Sequence, residues 1–269
     1  MADAGVSYFS GRDGVRLAYR EVGAGRPLVL LHGMAGDATL WLHGGRAETF
    51  AAHGYRVIMP DFRGHGASAK PHEAACYPPD VLADDGFALL DHLGVDHLGV
   101  DGYDLGGYSL GARIVVRMLA RGAAPGRAVV AGQGLRQVLG AAGGVGSLLR
   151  RVFAGWGTFA PGSPEEQSEQ WLRTQGADPV ALLRVLDSLV ATPREALGQI
   201  QVPTLVAVGA DDERAASAGE LAAALPRSTR AVVPGDHGPA AVAPELTAAI
   251  VDFLTGHAGH DGRPGRAAR

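Results

Sequence analysis

The sequence Gly107-Tyr108-Ser109-Leu110-Gly111 follows a short strand-like segment and precedes a segment, from Leu110 to Arg121, with the periodicity of a helix. A strand, a very tight turn and a helix form a nucleophile elbow, whose central residue adopts strained dihedral angles at the start of the helix. Residues two positions before and after it must be small, because a side chain there would collide with the neighbouring backbone. The free N–H groups of the helix N-terminus favour a developing anion. The pattern therefore predicts Ser109 as a nucleophile.

A second elbow overlaps the first. Gly102-Tyr103-Asp104-Leu105-Gly106 has the same spacing, so a carboxylate nucleophile at Asp104 is an alternative. That register would put Asp101 at a buried strand position, where an unpaired charge costs several kcal/mol. It would also place three glycines in the following helix, each costing about 1 kcal/mol relative to alanine. We therefore favour Ser109 and expect Asp104 to lie in the strand or at its edge.

Strand-like and helix-like segments alternate along most of the chain, which predicts an α/β fold with a mostly parallel sheet and helices on both faces. The predicted strands cover residues 15–21, 27–31, 55–59, 103–107, 127–130, 203–208 and 229–233. The interval 134–199 has several helix-like stretches and no convincing strand. We predict a core of residues 1–133 and 200–255, an inserted helical cap of residues 134–199, and a flexible tail of residues 256–269.

Composition excludes several classes of function. The net charge is −4 and the basic residues are scattered, so we expect no nucleic-acid partner. Cys76 is the only cysteine, so an internal disulfide and a cysteine-based metal cluster are impossible. No apolar run approaches the roughly 20 residues that span a bilayer, and the first residues do not resemble a signal peptide. We expect a cytoplasmic, bacterial protein with no membrane partner; His257 and His260 have no third ligand nearby, so no metal is predicted.

Five motifs in order resemble those of the α/β-hydrolase superfamily along nearly the whole chain: His32-Gly33, Asp61 to Ser68, the elbow at Ser109, Val202 to Asp212, and His237. The resemblance implies a triad of Ser109, His237 as base and Asp212 as the acid that orients it, with Asp211 as the alternative acid. It also implies an oxyanion hole made by the backbone N–H groups of Met34 and Leu110. A dehalogenase-like elbow usually has tryptophan after its aspartate, whereas Leu105 follows Asp104.

The resemblance implies a serine hydrolase that cleaves carboxyl esters or lactones of small to medium apolar compounds, with no metal or organic cofactor. Its small-molecule substrate would lie in an apolar pocket, which we expect to be lined by the side chains Met34, Trp41, Tyr108, Phe153 and Trp156. His32, Arg63 and His65 are expected to brace loops. Two alternatives are an epoxide hydrolase or haloalkane dehalogenase with Asp104 as nucleophile, and a ligand-binding homologue without catalysis.

Overall fold

The computed structural model describes residues 5–95, 102–140 and 145–256. Eight strands form one sheet in the order β1-β2-β4-β3-β5-β6-β7-β8. Their bounds are β1 Ser7–Ser10, β2 Arg16–Val22, β3 Arg26–Leu31, β4 Tyr55–Pro60, β5 Asp104–Tyr108, β6 Ala128–Ala131, β7 Thr204–Gly209 and β8 Ser228–Val233. Strands β3 to β8 are parallel, while β2 pairs antiparallel with both β1 and β4. The prediction of a mostly parallel α/β sheet is confirmed.

Helices cover both faces of the sheet. Their bounds are α1 Thr39–Leu42, α2 Arg46–Ala52, α3 Val81–Leu93, α4 Leu110–Ala120, α5 Leu135–Val138, α6 Val145–Ala154, α7 Pro164–Thr174, α8 Pro179–Ser188, α9 Arg194–Leu197, α10 Ala218–Ala224, α11 His237–Val242 and α12 Pro244–Thr255. One core cluster joins the sheet to α3, α4 and α10, and a second joins the opposite face to α1, α2 and α12. Both faces are covered because the central strands are apolar on both sides.

The antiparallel strand β1 is the one strand that the sequence pattern does not predict. It has four residues, of which only Phe9 is buried. A single buried position gives no alternation of buried and exposed residues to recognise. This strand therefore forms because it pairs with β2. Three predictions lie outside the described residues: the tail after Gly256, the absence of a metal site at His257 and His260, and the position of Asp101.

The helices α5 to α9 lie between β6 and β7 in the chain, and the described residues of this interval form no strand. Val152, Phe153, Leu172, Leu182 and Leu186 of these helices form a third apolar cluster together with Ala35, which follows β3. The boundaries of a cap at residues 134 and 199 stay a prediction. Across the described ranges, every helix is too short or too polar to cross a membrane.

Candidate active site

Ser109 lies in a sharp turn between β5 and α4. Its φ and ψ are 55° and −114°, in a region that side chains other than glycine rarely adopt. An ideal Cβ on Gly107 would lie 2.4 Å from the carbonyl carbon of Gly111, and one on Gly111 would lie 2.3 Å from the carbonyl oxygen of Leu31. Both approaches are too close for any side chain. The two glycines therefore let α4 cross directly over β5 and β3, which lifts Ser109 to the carboxyl edge of the sheet.

His237 and Asp212 reach Ser109 from the loops after β8 and β7. The Nε2 atom of His237 lies 3.0 Å from Oγ of Ser109, and its Nδ1 atom lies 2.8 Å from Oδ2 of Asp212. The Asp212 side chain is fully buried, whereas Asp211 is exposed and no contact joins it to the histidine. Of the two acids that the sequence offers, only Asp212 is seen in contact with His237 in the described residues, and its role as the orienting acid stays a prediction.

This arrangement allows His237 to accept a proton from Ser109. A hydrogen bond from Nδ1–H to the Asp212 carboxylate leaves the lone pair of Nε2 free to accept the Ser109 hydroxyl proton. The imidazole that gains this proton is stabilised by the carboxylate on its other side. His237 is half-buried, so the site remains reachable from solvent.

The loop after β3 lies against Ser109. An ideal Cβ on Gly33 would be 3.5 Å from Cβ of Ser109, and Met34 is the next residue. Ala35 has a φ of 59°, and the Gly36 N–H donates to the Gly33 carbonyl at 3.1 Å, so the loop is a tight turn. Leu110 is the first residue of α4, where a backbone N–H has no acceptor within the helix. The assignment of the Met34 and Leu110 N–H groups to an oxyanion hole stays a prediction.

Two buried histidines brace this loop from behind. The Nδ1–H of His32 donates to the Gly33 carbonyl at 2.7 Å, and its Nε2 accepts the N–H of Phe62 at 3.0 Å. The His65 ring packs on His32 with centroids 5.0 Å apart. Burial lowers the pKa of His32, and it lowers the pKa of His65 to about 3. Both rings are therefore uncharged at neutral pH and support the loop through their contacts.

Arg63 also has a bracing contact set. Its guanidinium is fully buried and forms bidentate ion pairs with Asp85, at 3.0 and 2.9 Å, and with Asp13, at 2.6 and 2.8 Å. These pairs tie the loop after β4 to α3 and to the turn before β2. The geometry agrees with the loop-bracing role expected for Arg63.

Gln133 contacts the elbow, and sequence reasoning missed it. Its side-chain Nε2 donates to the carbonyl oxygen of Ser109 at 2.8 Å, and the residue is buried. It stands two residues after the end of β6, the neighbour of β5. A glutamine in that loop belongs to no motif, so only the pairing of β5 with β6 could have indicated the contact.

The structure gives Trp41 and Tyr108 contacts in the core. Trp41 is fully buried beneath the sheet, with the guanidinium of Arg46 4.6 Å from its ring. Tyr108 belongs to the same cluster, and its hydroxyl donates to the carbonyl oxygen of His237 at 2.6 Å. Their predicted place in a substrate pocket stays a prediction, with no support from these contacts.

The inserted aromatic residues lie in the third cluster. Phe153 is buried there, and Trp156 is half-buried with the guanidinium of Arg173 4.8 Å from its ring. Met34 packs against the same cluster, so this apolar surface is continuous with the loop beside Ser109. A contact of Phe153 or Trp156 with substrate stays a prediction.

Asp104 lies at the opposite end of β5 from Ser109. It is fully buried and accepts two hydrogen bonds from the Arg26 guanidinium, at 2.6 and 2.9 Å, and one from the backbone N–H of Arg127, at 2.8 Å. Five residues of an extended strand span about 16 Å, so Asp104 lies far from His237. All of its described contacts are structural.

Comparison with known proteins gives the family. The model of the alpha/beta hydrolase fold family matches residues 26–192, more than half of the chain. The chain belongs to the α/β-hydrolase family. The resemblance that the motifs indicate is thereby confirmed.

Relatives of this α/β-hydrolase include enzymes with different activities. An epoxide hydrolase of Caballeronia sordidicola is 35% identical over 83 residues, which is 31% of this chain and 25% of that protein. The chain thus spans only about a quarter of the length of this curated relative. An esterase of Rhodococcus sp. ECU1013 superposes with a TM-score of 0.72 at 27% identity, covering 93% of this chain and 98% of the other. A hydrolase of Pseudomonas aeruginosa PA01 superposes with a TM-score of 0.70 at 25% identity, covering 94% and 99%.

Proposed function

We propose that this α/β-hydrolase is a serine esterase in which Ser109 is the nucleophile, His237 the general base and Asp212 the acid that orients it. The observation that carries the proposal is the unbroken line of hydrogen bonds from Asp212 through His237 to Ser109, at 2.8 and 3.0 Å. A surface histidine without a role in catalysis is not expected to lie between a fully buried carboxylate and a strained serine. Nucleophile, base and orienting acid in hydrogen-bond contact are the signature of an activated serine.

The reaction follows from these contacts. Ser109 Oγ attacks the ester carbonyl while its proton passes to Nε2 of His237, and the resulting oxyanion is held by the N–H groups of Leu110 and Met34. His237 then gives the proton to the leaving alcohol, which leaves an acyl group on Ser109. His237 next deprotonates a water molecule that attacks the acyl carbonyl, and the acid is released as the proton returns to Ser109. Each oxyanion donor contributes about 3–4 kcal/mol in comparable sites.

The helices α5 to α9 are proposed to act as the cap over this site. Their apolar cluster includes Ala35 and is packed by Met34, the two residues that follow Gly33 beside the nucleophile. A substrate held between this cluster and Ser109 would meet mostly apolar surface. Small to medium apolar esters or lactones are therefore the proposed substrates, and the length of acyl chain that is accepted measures the space beneath the cap.

An epoxide hydrolase with Asp104 as nucleophile is disfavoured by the contacts of that residue. Some relatives are epoxide hydrolases, but Asp104 is buried at the far end of β5 and paired with Arg26. The side chain at the elbow of this chain is a serine hydroxyl. A carboxylate that is already bonded to a guanidinium is also a poorer nucleophile than a free one.

The experiment that tests the proposal is hydrolysis of p-nitrophenyl esters of increasing acyl length by the wild-type protein, Ser109→Ala and Asp104→Asn. We expect turnover by the wild type and Asp104→Asn, and a loss of at least about a thousandfold in kcat for Ser109→Ala. Ring opening of styrene oxide is assayed in parallel. Epoxide turnover that survives in Ser109→Ala and is lost in folded Asp104→Asn contradicts the proposal, and so does ligand binding with no turnover of any ester.

A further inference from the structure

Tyr108 directly precedes the nucleophile, and its side chain points away from the substrate side of the elbow. Gly107 faces α4, whereas Tyr108 packs in the core cluster on the opposite face of the sheet with Trp41 and residues of α12. Its side chain is 4% exposed. Successive residues of a strand point to opposite faces, so the residue before the nucleophile must point beneath the site.

The Tyr108 hydroxyl contacts the main chain of the proposed base. It donates to the carbonyl oxygen of His237 at 2.6 Å, and the two rings lie with centroids 5.3 Å apart. This residue therefore connects the nucleophile, to which it is joined by a peptide bond, with the base, to which it is joined by a hydrogen bond. Such a contact helps to set the distance between the Ser109 hydroxyl and the His237 imidazole.

The helix that carries His237 needs external support. Helix α11 has only six residues, and His237 is the first of them. A helix of this length is unstable by itself, so contacts at its ends determine its position. Tyr108 holds the first carbonyl, and the Arg46 guanidinium donates to the carbonyl of Ala241, near the other end, at 2.7 Å.

The neighbouring strand leaves room for the tyrosine and for no additional side chain. Gly132, just after β6, has a φ of 63°, and an ideal Cβ there would lie 2.6 Å from Cζ and 2.9 Å from Oη of Tyr108. Only glycine satisfies both the backbone conformation and the approach of the phenol. The space beneath the elbow is thus shaped around the Tyr108 hydroxyl.

We propose that Tyr108 is a positioning residue that sets the place of His237 relative to Ser109 through the hydrogen bond to the His237 carbonyl. This inference rests on the proposed function, because it assigns the contact to the geometry of that triad. It is an alternative to the expectation that Tyr108 lines the substrate pocket. The two roles predict different kinetics, since a positioning residue changes kcat and a pocket residue changes KM.

The test compares Tyr108→Phe with a matched control, Tyr55→Phe. Tyr55 is also buried and also donates its hydroxyl to a helix carbonyl, that of Leu254 in α12 at 3.1 Å. It is the first residue of β4, at the opposite end of the parallel strands from the triad. Both variants keep the ring and lose one hydrogen bond, so we expect similar falls in Tm. On an ester that the wild type hydrolyses, Tyr108→Phe is expected to lower kcat by about tenfold to a hundredfold with KM unchanged, and Tyr55→Phe to change neither.

Three outcomes overturn the proposal: an unchanged kcat in Tyr108→Phe, a raised KM with kcat preserved, or equal losses of kcat in both variants. A readout independent of turnover is the proton NMR signal of the His237 Nδ1–H, assigned by its loss in His237→Gln. We expect Tyr108→Phe to shift or broaden it and Tyr55→Phe to leave it in place. If the wild type hydrolyses no ester, the proposed function fails, and this signal still decides whether Tyr108 positions His237.

Discussion

The Nε2 atom of His237 lies 3.0 Å from Oγ of Ser109, although the two residues are 128 positions apart in the chain. They meet because β5 and β8 are parallel strands of one sheet, and the loops that follow such strands gather at the same edge. The approach is completed locally, by the strained turn at Ser109 and by the start of α11 at His237. Changes to these local features should therefore alter stability, catalysis or both.

The strain at Ser109 predicts an order of stability among substitutions that remove its hydroxyl. Glycine adopts a φ of 55° without steric cost, whereas alanine keeps the strain of the native serine. We expect Ser109→Gly to have a free energy of unfolding about 1 kcal/mol above that of Ser109→Ala, with both variants inactive. Urea denaturation of the two proteins measures the difference. A less stable Ser109→Gly would show that the turn is unstrained.

The close approach at Gly111 predicts that a single methyl group disrupts the elbow. In Gly111→Ala the new Cβ would collide with the carbonyl oxygen of Leu31, 2.3 Å away, so the backbone of α4 must move. We expect a loss of about 2–3 kcal/mol in the free energy of unfolding and of most esterase activity. The matched control is Gly219→Ala in α10, where the nearest atom lies 3.8 Å from the new Cβ and we expect no loss of stability. Equal effects of the two substitutions would refute this account of the elbow.

Much of the fold follows from local patterns. The buried strands β3, β4 and β7 contain short apolar runs, and the glycines at positions 107 and 111 place the elbow after β5. The order of Ser109, Asp212 and His237 along the chain could also be read from the strands that precede them. These features depend on residues that are close in sequence, which is why a single sequence discloses them.

Features that depend on packing between distant segments were not predictable. Strand β1 exists only through pairing with β2, and Gln133 reaches Ser109 only because β6 lies beside β5. The contacts of Trp41 and Tyr108 in the core likewise follow from which face of the sheet each side chain meets. The sequence favours Asp212 and keeps Asp211 as an alternative, and only the position of the loop relative to His237 shows which carboxylate contacts the histidine.

The ion pair of Asp104 predicts a variant that is less stable but still active. Asp104→Asn keeps one acceptor oxygen but loses the charge that pairs with Arg26 across 2.6 Å, in a fully buried position. We expect the free energy of unfolding to fall by roughly 1–3 kcal/mol, because the buried side chain at position 104 no longer pairs a charge with the partly exposed Arg26 guanidinium. Turnover per folded molecule is expected to stay within about twofold of the wild type, because Asp104 is distant from the site. Chemical denaturation and active-site titration separate the two quantities.

The buried histidines predict how stability depends on pH. Unfolded histidine has a pKa of 6.5, whereas burial lowers the pKa of folded His65 to about 3. Between these values the unfolded state binds the extra proton, so stability is present above pH 6.5 and falls as the pH drops toward 3. We expect His65→Asn to reduce this dependence by about 1.4 kcal/mol per pH unit between pH 6 and pH 5. Urea denaturation of both proteins at these pH values measures it; parallel curves would mean that His65 does not contribute.

The central claim, that Ser109 is the nucleophile, is tested most directly by labelling with a fluorophosphonate and locating the adduct by peptide mass spectrometry. We predict one adduct, on Ser109, that is absent in Ser109→Ala and greatly slowed in His237→Gln, while Asp104→Asn is labelled at the wild-type rate. Absence of any adduct in the folded wild-type protein, or an adduct on another residue that persists in Ser109→Ala, would contradict the claim.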